Sequence, residues 1–201
     1  MKLYVAPGAC SLAPHIALRE TGAQFDLAIV DLQTKRVDDG SSFATLNPKG
    51  YVPALRLDDG QVLTENVAVL LYIADQYPNA RLAPAGQGIE RYRMVEWLAF
   101  INSELHKAFG ILFSGTAPEA SQQYARAQIA KRLDYLQGAI ATEFVSGSRF
   151  TIADAYLFTV LSWCGEVDID LERWPALARY QARLRARPAV LAALKAEGLV
   201  S

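Results

Sequence analysis

"PNARLAPAGQG", residues 78–88, sets two prolines and two glycines within eleven residues. Proline removes a backbone N–H and glycine leaves the backbone unconstrained, so neither a helix nor a strand runs through such a stretch. It reads as a linker, and the sequence differs on its two sides. Toward the N-terminus, short apolar runs alternate with turn signals. "ENVAVLLYIADQY" (65–77) is a helix stopped by Pro78. Before it, "PALRL" (53–57) and "QVLT" (61–64) flank "DDG", a hairpin signature. Further back, "FDLAIVDL" (25–32) and "KLYVA" (2–6) read as strands. Between them, "SLAPHIALRETG" (11–22) reads as a helix that Ser11 caps and Gly22 closes. The order is β-α-β, a middle segment without a clear period, then β-β-α.

Toward the C-terminus every patterned segment is helical. The helices predicted are 90–113, 118–141 with Ile129, Leu133, Leu136 and Ile140 on one stripe, 151–165, 174–186 and 188–198. The chain therefore divides into a small mixed α/β domain over 1–78, a linker over 79–88 and an all-helical domain over 89–201. The 201 residues are 52% hydrophobic and 20% charged, with a net charge of −1. That balance supplies a core and no global field to recruit nucleic acid or an anionic membrane. No uninterrupted apolar stretch is long enough for a bilayer span. The first ten residues reach Pro7 and Gly8 before any long apolar run, so no leader is expected. Cys10 and Cys164 are too far apart to suggest a disulfide framework, which fits reduced thiols and a cytoplasmic location. The two histidines, His15 and His106, form no metal-like grouping with them, and no metal is expected.

Four stretches carry side chains suited to chemistry. In "VAPGACSLAPHIAL" (5–18), Cys10 stands where the first strand hands over to the first helix. Unpaired N–H groups and the positive end of the helix dipole favour a thiolate there, the reactive form; the alternative is a small apolar residue at a turn. Ala13 stands where a C-x-x-C motif has its second cysteine, so any redox cycle needs an external thiol. In "NPKGYVPAL" (47–55), Val52-Pro53 enters a strand, which marks an edge, a cis bond or an ordinary turn. A cis bond would present the Val52 backbone to an extended peptide. In "LTENVAVL" (63–70), the amides opening the helix suit a carboxylate and Glu65 suits an ammonium group; the alternative is a plain capping sequence. In "NSELHKAFGILF" (102–113), Ser103, His106 and Gly110 share a helical face, with Ala99, Phe109 and Phe113 close to it and Glu104 and Lys107 beside it. His15 and Cys164 read as structural, and "FTIAD" (150–154) reads as a capping box through Thr151 and Asp154.

Taken together and in this order, "APGACSLAPHIAL", "NPKGYVPAL", "TENVAVLLYIAD", "ELHKAF" and "FTIADAYLF" resemble the soluble glutathione transferases, most closely the bacterial beta class, over the whole chain. The resemblance implies a thioredoxin-like α/β N-terminal domain, an all-α C-terminal domain and a homodimer. It implies glutathione as co-substrate and a hydrophobic electrophile as its partner. Cys10 then meets the glutathione sulfur and can form a mixed disulfide with it. Val52, ahead of a cis-Pro53, pairs with the cysteinyl backbone. Glu65 and Asn66 hold the γ-glutamyl end, and Lys35 holds the glycyl carboxylate. His106 lies near the sulfur, and Ser103, Glu104 and Lys107 complete the site, some of them across the dimer interface. Ala99 departs from an asparagine that several relatives place in the glutathione contact. Phe109, Phe113 and Tyr156 are candidates for the electrophile pocket or for core. Three activities fit: conjugation to hydrophobic electrophiles, thiol–disulfide or reductive chemistry (dehalogenase- or peroxidase-like) cycling through Cys10, and non-catalytic ligand binding.

Overall fold

Strand β1 (Lys2–Val5) is the centre of a five-stranded sheet ordered β3-β2-β1-β4-β5. The computed structural model that shows this describes residues 1–140 and 142–200. On one side β1 runs parallel to β2 (Asp26–Asp31), with Lys2 opposite Asp26 and Val5 opposite Ile29. The parallel pairing needs a crossover, and helix α1 (Leu12–Thr21) supplies it. On the other side β1 pairs antiparallel with β4 (Ala54–Arg56), which turns at 57–61 into β5 (Val62–Thr64). The middle segment forms β3 (Arg36–Val37) against β2 and the one-turn helix α2 (Phe43–Leu46). Helix α3 (Asn66–Gln76) completes the β-β-α half.

Alternation along the strands decides which side chains face which layer. Tyr4, Ala6, Ala28, Val30 and Ala54 join Phe43 and Val52 in one buried cluster. The alternate residues Leu3, Val5 and Leu55 are fully buried on the opposite face. Gly22 ends α1 in the left-handed conformation, φ 70°, and returns its N–H to Arg19 O at 3.2 Å. Ser11 makes no capping bond, contrary to expectation. It is fully buried, and its Oγ accepts the Ala6 N–H at 3.1 Å and donates to Ala6 O at 3.4 Å. Its hydroxyl closes the strand-to-helix turn instead of the helix end.

Two compact units result: Met1–Ala83 together with the stretch from Arg187, and Pro84–Ala186. The sequence reading placed everything after 88 in the helical half. Helix α9 (Pro188–Ala196) packs on α1 in the first unit instead. Arg187 pairs with Glu20 there at 2.8 Å. Pro78–Ala80, read as linker, form one tight 3₁₀ turn.

In the second unit the long helix expected over 90–113 is three consecutive pieces. These are α4 (Ile89–Phe100), a π-helical turn over Ile101–His106, and α5 (Lys107–Leu112). Helix α6 (Glu119–Ala139) buries Ile129, Leu133 and Leu136 as patterned; Ile140 lies just past its end, and Ala141 of the expected helix lies outside the described residues. Helix α7 (Ile152–Ser162) is buried from Ile152 to Leu161, and α8 (Pro175–Arg185) packs on it. The capping box at 151–154 is present. Its Asp154 accepts from Thr151 N–H at 2.8 Å, Thr151 Oγ1 at 2.9 Å, Val145 N–H at 2.8 Å and Tyr180 OH at 2.8 Å. Burial nonetheless pushes its carboxyl above the usual carboxylate range. Among the described residues no helix is long and apolar enough to cross a membrane.

Candidate functional site

The loop after β1 carries Cys10 and is held from three directions. Gly8 adopts φ 72°, a region glycine enters without a Cβ clash, and its N–H donates to Glu197 Oε2 at 2.9 Å. Glu197 Oε1 lies 2.8 Å from His15 Nδ1, and both side chains are fully buried. Arg19 Nε donates to His15 Nε2 at 3.3 Å, which leaves Nδ1 to donate to Glu197. His15 is structural, as the sequence reading had it. Ser11 supplies the third hold, through Ala6. Cys10 itself is partly exposed, and its thiol donates to Val52 O at 3.4 Å. Val52-Pro53 is cis, and Val52 stands just ahead of β4.

The start of α3 gathers charge and an unused amide. Glu65 sits at φ 70°. Its Oε1 accepts from Lys49 Nζ at 2.6 Å and from Tyr51 OH at 3.2 Å. Lys49 also reaches Thr64 Oγ1 at 2.9 Å, and its bond to Glu65 raises the ammonium above its ordinary value. An ammonium group on Glu65 was the sequence expectation; the folded chain already supplies one from Lys49, a residue the reading passed over inside its own quoted motif. Asn66 is 5% exposed, and neither Nδ2 nor Oδ1 of its amide has a partner. Lys35, at φ 55°, donates from Nζ to Gly50 O at 2.7 Å.

The second unit holds the other candidates. His106 is the last residue of the π-helical turn. Its Nδ1 lies 2.6 Å from Tyr156 OH, which in turn donates to Asn102 Oδ1 at 3.0 Å. Trp163 meets the imidazole edge to face at 4.8 Å. Burial first, and Lys107 second, push the imidazole down to about 4, so it is neutral at neutral pH. Sequence reading missed Asn102, whose signal was its spacing of four from His106. Tyr156 is fully buried and belongs to this polar chain, which fits the core alternative. Phe109 is likewise fully buried, while Phe113 is 50% exposed and stacks on Phe109 at 6.3 Å. Ser103 donates its hydroxyl back to Ala99 O at 2.9 Å, and the Glu104 carboxylate is bound by Arg132 of α6 at 2.7 Å. Lys107 is exposed. Cys164 is buried, and burial pushes its thiol up to about 12, which makes it inert. Among the described residues no group of three or more His, Cys, Asp or Glu side chains is placed to hold a metal ion.

A thioredoxin-like sheet unit with a cysteine in the loop after its first strand, together with a helical unit, defines the two-part fold class to which the chain belongs. Within it, residues 8–76 match the glutathione S-transferase N-terminal domain model and 94–188 the C-terminal domain model. The chain is 50% identical to glutathione S-transferase GstA of Escherichia coli O157:H7, over 99% of this chain and all of that one. A beta-class glutathione S-transferase structure from Sphingomonas chungbukensis superposes with a TM-score of 0.96 at 52% identity, covering both chains fully. A sphingomonad glutathione S-transferase solved with glutathione bound gives 0.96 at 48% identity, again over both whole chains. The chain belongs to the glutathione S-transferase family.

Proposed function

We propose that the protein transfers the sulfur of glutathione to hydrophobic electrophiles. The observation that carries this is the pair at the start of α3: a buried Asn66 amide with both polar atoms unpartnered, beside the Glu65 carboxylate. A buried amide left unpaired costs stability, so its persistence argues for a ligand group that completes it. The γ-glutamyl end of glutathione has a carboxylate for Asn66 and for the first amides of α3, and an ammonium for Glu65 in place of Lys49. In this reading Val52 pairs with the cysteinyl backbone, Lys35 meets the glycyl carboxylate and Cys10 neighbours the sulfur. His106 accepts the thiol proton at Nε2. The thiolate attacks the electrophilic carbon, the C–X bond breaks, X leaves with its electron pair, and the proton follows to solvent. Ser103, Glu104 and Lys107 complete the glutathione site; Glu104 does so once released from Arg132. Residues 1–78 thus carry one part of the glutathione site, and the helical unit over 84–186 adds Ser103, Glu104, His106 and Lys107 to it and serves the electrophile and dimer contacts, with exposed Phe113 as the apolar surface. The protein acts as a cytoplasmic homodimer.

Steady-state conjugation of an aryl halide tests the reading: turnover saturable in glutathione is expected, and a rate equal to the buffer blank across a panel of electrophiles refutes it. Sedimentation should give twice the 22.0 kDa of one chain. A glutathione-bound crystal structure with intact-mass measurement shows which subunit supplies His106 and whether Cys10 is bonded to sulfur. One observation favours a second, reductive activity. Cys10 is partly exposed while Ala13 is fully buried and Cys164 is inert, so an external thiol is the resolving partner. A mixed disulfide of glutathione with a substrate thiol would give the Cys10–glutathione disulfide and the free substrate thiol, and a second glutathione would then regenerate the Cys10 thiol and leave as glutathione disulfide. Cys10→Ala should abolish disulfide reduction; if reduction persists, Cys10 has no such role.

A further inference from the structure

Tyr156 lies fifty residues from His106 in sequence and has no exposed surface, so water is not available to its hydroxyl. A buried hydroxyl has one proton to give and must give it to an internal acceptor. Asn102 Oδ1 takes it at 3.0 Å. The Tyr156 oxygen then faces His106 Nδ1 at 2.6 Å as an acceptor, which requires a proton on Nδ1. A neutral imidazole has a single N–H, so Nε2 is left with its lone pair. The π-helical turn makes this arrangement local, because it contains both Asn102 and His106 and packs against α7, which carries Tyr156.

We infer that Tyr156, anchored on Asn102, is a positioning residue that holds His106 in the Nδ1–H tautomer and so keeps Nε2 as the basic nitrogen. The tautomer follows from the orientation of the Asn102 amide, with Oδ1 toward Tyr156; its catalytic consequence rests on the proposed role of His106 at the sulfur. The reversed chain, with the Asn102 amide turned over and Tyr156 donating to Nδ1, puts the proton on Nε2 and removes the base.

The chain has only two histidines, so long-range ¹H–¹⁵N spectra of ¹⁵N-histidine-labelled protein at pH 7 resolve both. His15 serves as internal reference, since its partners are Glu197 and Arg19. Wild-type His106 should show the Nδ1–H pattern, and Tyr156→Phe should move it toward Nε2–H. Asn102→Leu, at a partly buried site, reads the same relay if the Tyr156 variant does not fold. In conjugation assays either variant should lower kcat by about tenfold or more while the KM for glutathione changes by less than about twofold, because a misplaced proton disables a base without removing a binding contact. An Nε2–H pattern in wild type, or an unchanged Nδ1–H pattern in the folded variants, overturns the assignment. A wild type without turnover refutes the transferase reading, and the spectra still decide the tautomer.

Discussion

Asn66 is costly to the folded chain as it stands, since both amide atoms lack partners at 5% exposure. Such groups cost about 1–3 kcal/mol, and for a chain of this size 1 kcal/mol corresponds to about 2–4 °C in Tm. Asn66→Ala is therefore expected to raise Tm by about 2–12 °C while raising the KM for glutathione by about tenfold or more. Calorimetry and kinetics read the two together, and a lower Tm would show that the amide is satisfied in the folded chain. Lys49 gives the opposite case. Its ammonium occupies the Glu65 carboxylate that the proposed site assigns to the ligand's ammonium, in an exposed pair of the kind that adds little stability. Lys49→Met should leave Tm unchanged and lower the KM for glutathione by about two- to fivefold. A higher KM would mean that Lys49 itself holds the ligand. Glu65 was legible as a candidate because a carboxylate beside the first backbone amides of a helix has an evident partner chemistry, whereas Asn66 entered only through the family resemblance. Lys49 was not, because its contact with Glu65 depends on how the chain from 47 to 53 returns to the sheet.

At the scale of elements, what sequence made visible were segments whose ends carry chemical signals: Gly22 after α1, Pro78 after α3 and Thr151–Asp154 before α7. The two-residue β3 and the one-turn α2 carry no period; β3 exists through its pairing with β2, and α2 through Phe43, buried beneath the sheet. The π-helical turn escaped because apolar spacing over 90–113 is equally consistent with a continuous α-helix, and only the tertiary placement of Tyr156 and Trp163 against His106 distinguishes the two. The α7 box is the clearest case of local sequence fixing an element. Asp154 satisfies four donors, and Asp154→Ala leaves Val145 N–H, Thr151 N–H and Tyr180 OH unpaired in a dry interior. Loss of about 3–5 kcal/mol is expected in urea titration, several times the effect of an exposed cap. A loss under about 1 kcal/mol would show that the box is dispensable once α7 is buried.

For the whole molecule, the change from mixed to helical patterning at 78–88 was readable, but the destination of the last helix was not. The apolar stripe of α9 fits a helical core as well as it fits α1, and what binds it to the first unit is a buried Glu197 that takes the N–H of Gly8 and pairs with His15. A buried titratable group also decides how global stability follows pH. His106 titrates near 6.5 in the unfolded chain and near 4 in the folded one, because burial disfavours the imidazolium. Above the unfolded value neither state binds the proton, and the stability is fully present. Between the two values the unfolded chain binds a proton that the folded chain refuses, so stability falls as pH falls, and the loss is complete below the folded value. At about 1.4 kcal/mol per pH unit, discounted for the part of the ring that meets solvent, the loss is about 2–3 kcal/mol. Denaturant titrations of wild type and His106→Asn between pH 7 and pH 4 isolate it, because every other titratable group is common to both proteins and cancels. The stability of wild type relative to the variant should drop by about 2–3 kcal/mol over that range. A difference that stays constant with pH would mean that His106 is protonated as readily in the fold as outside it, and a neutral Nε2 base would then not survive below pH 6.5.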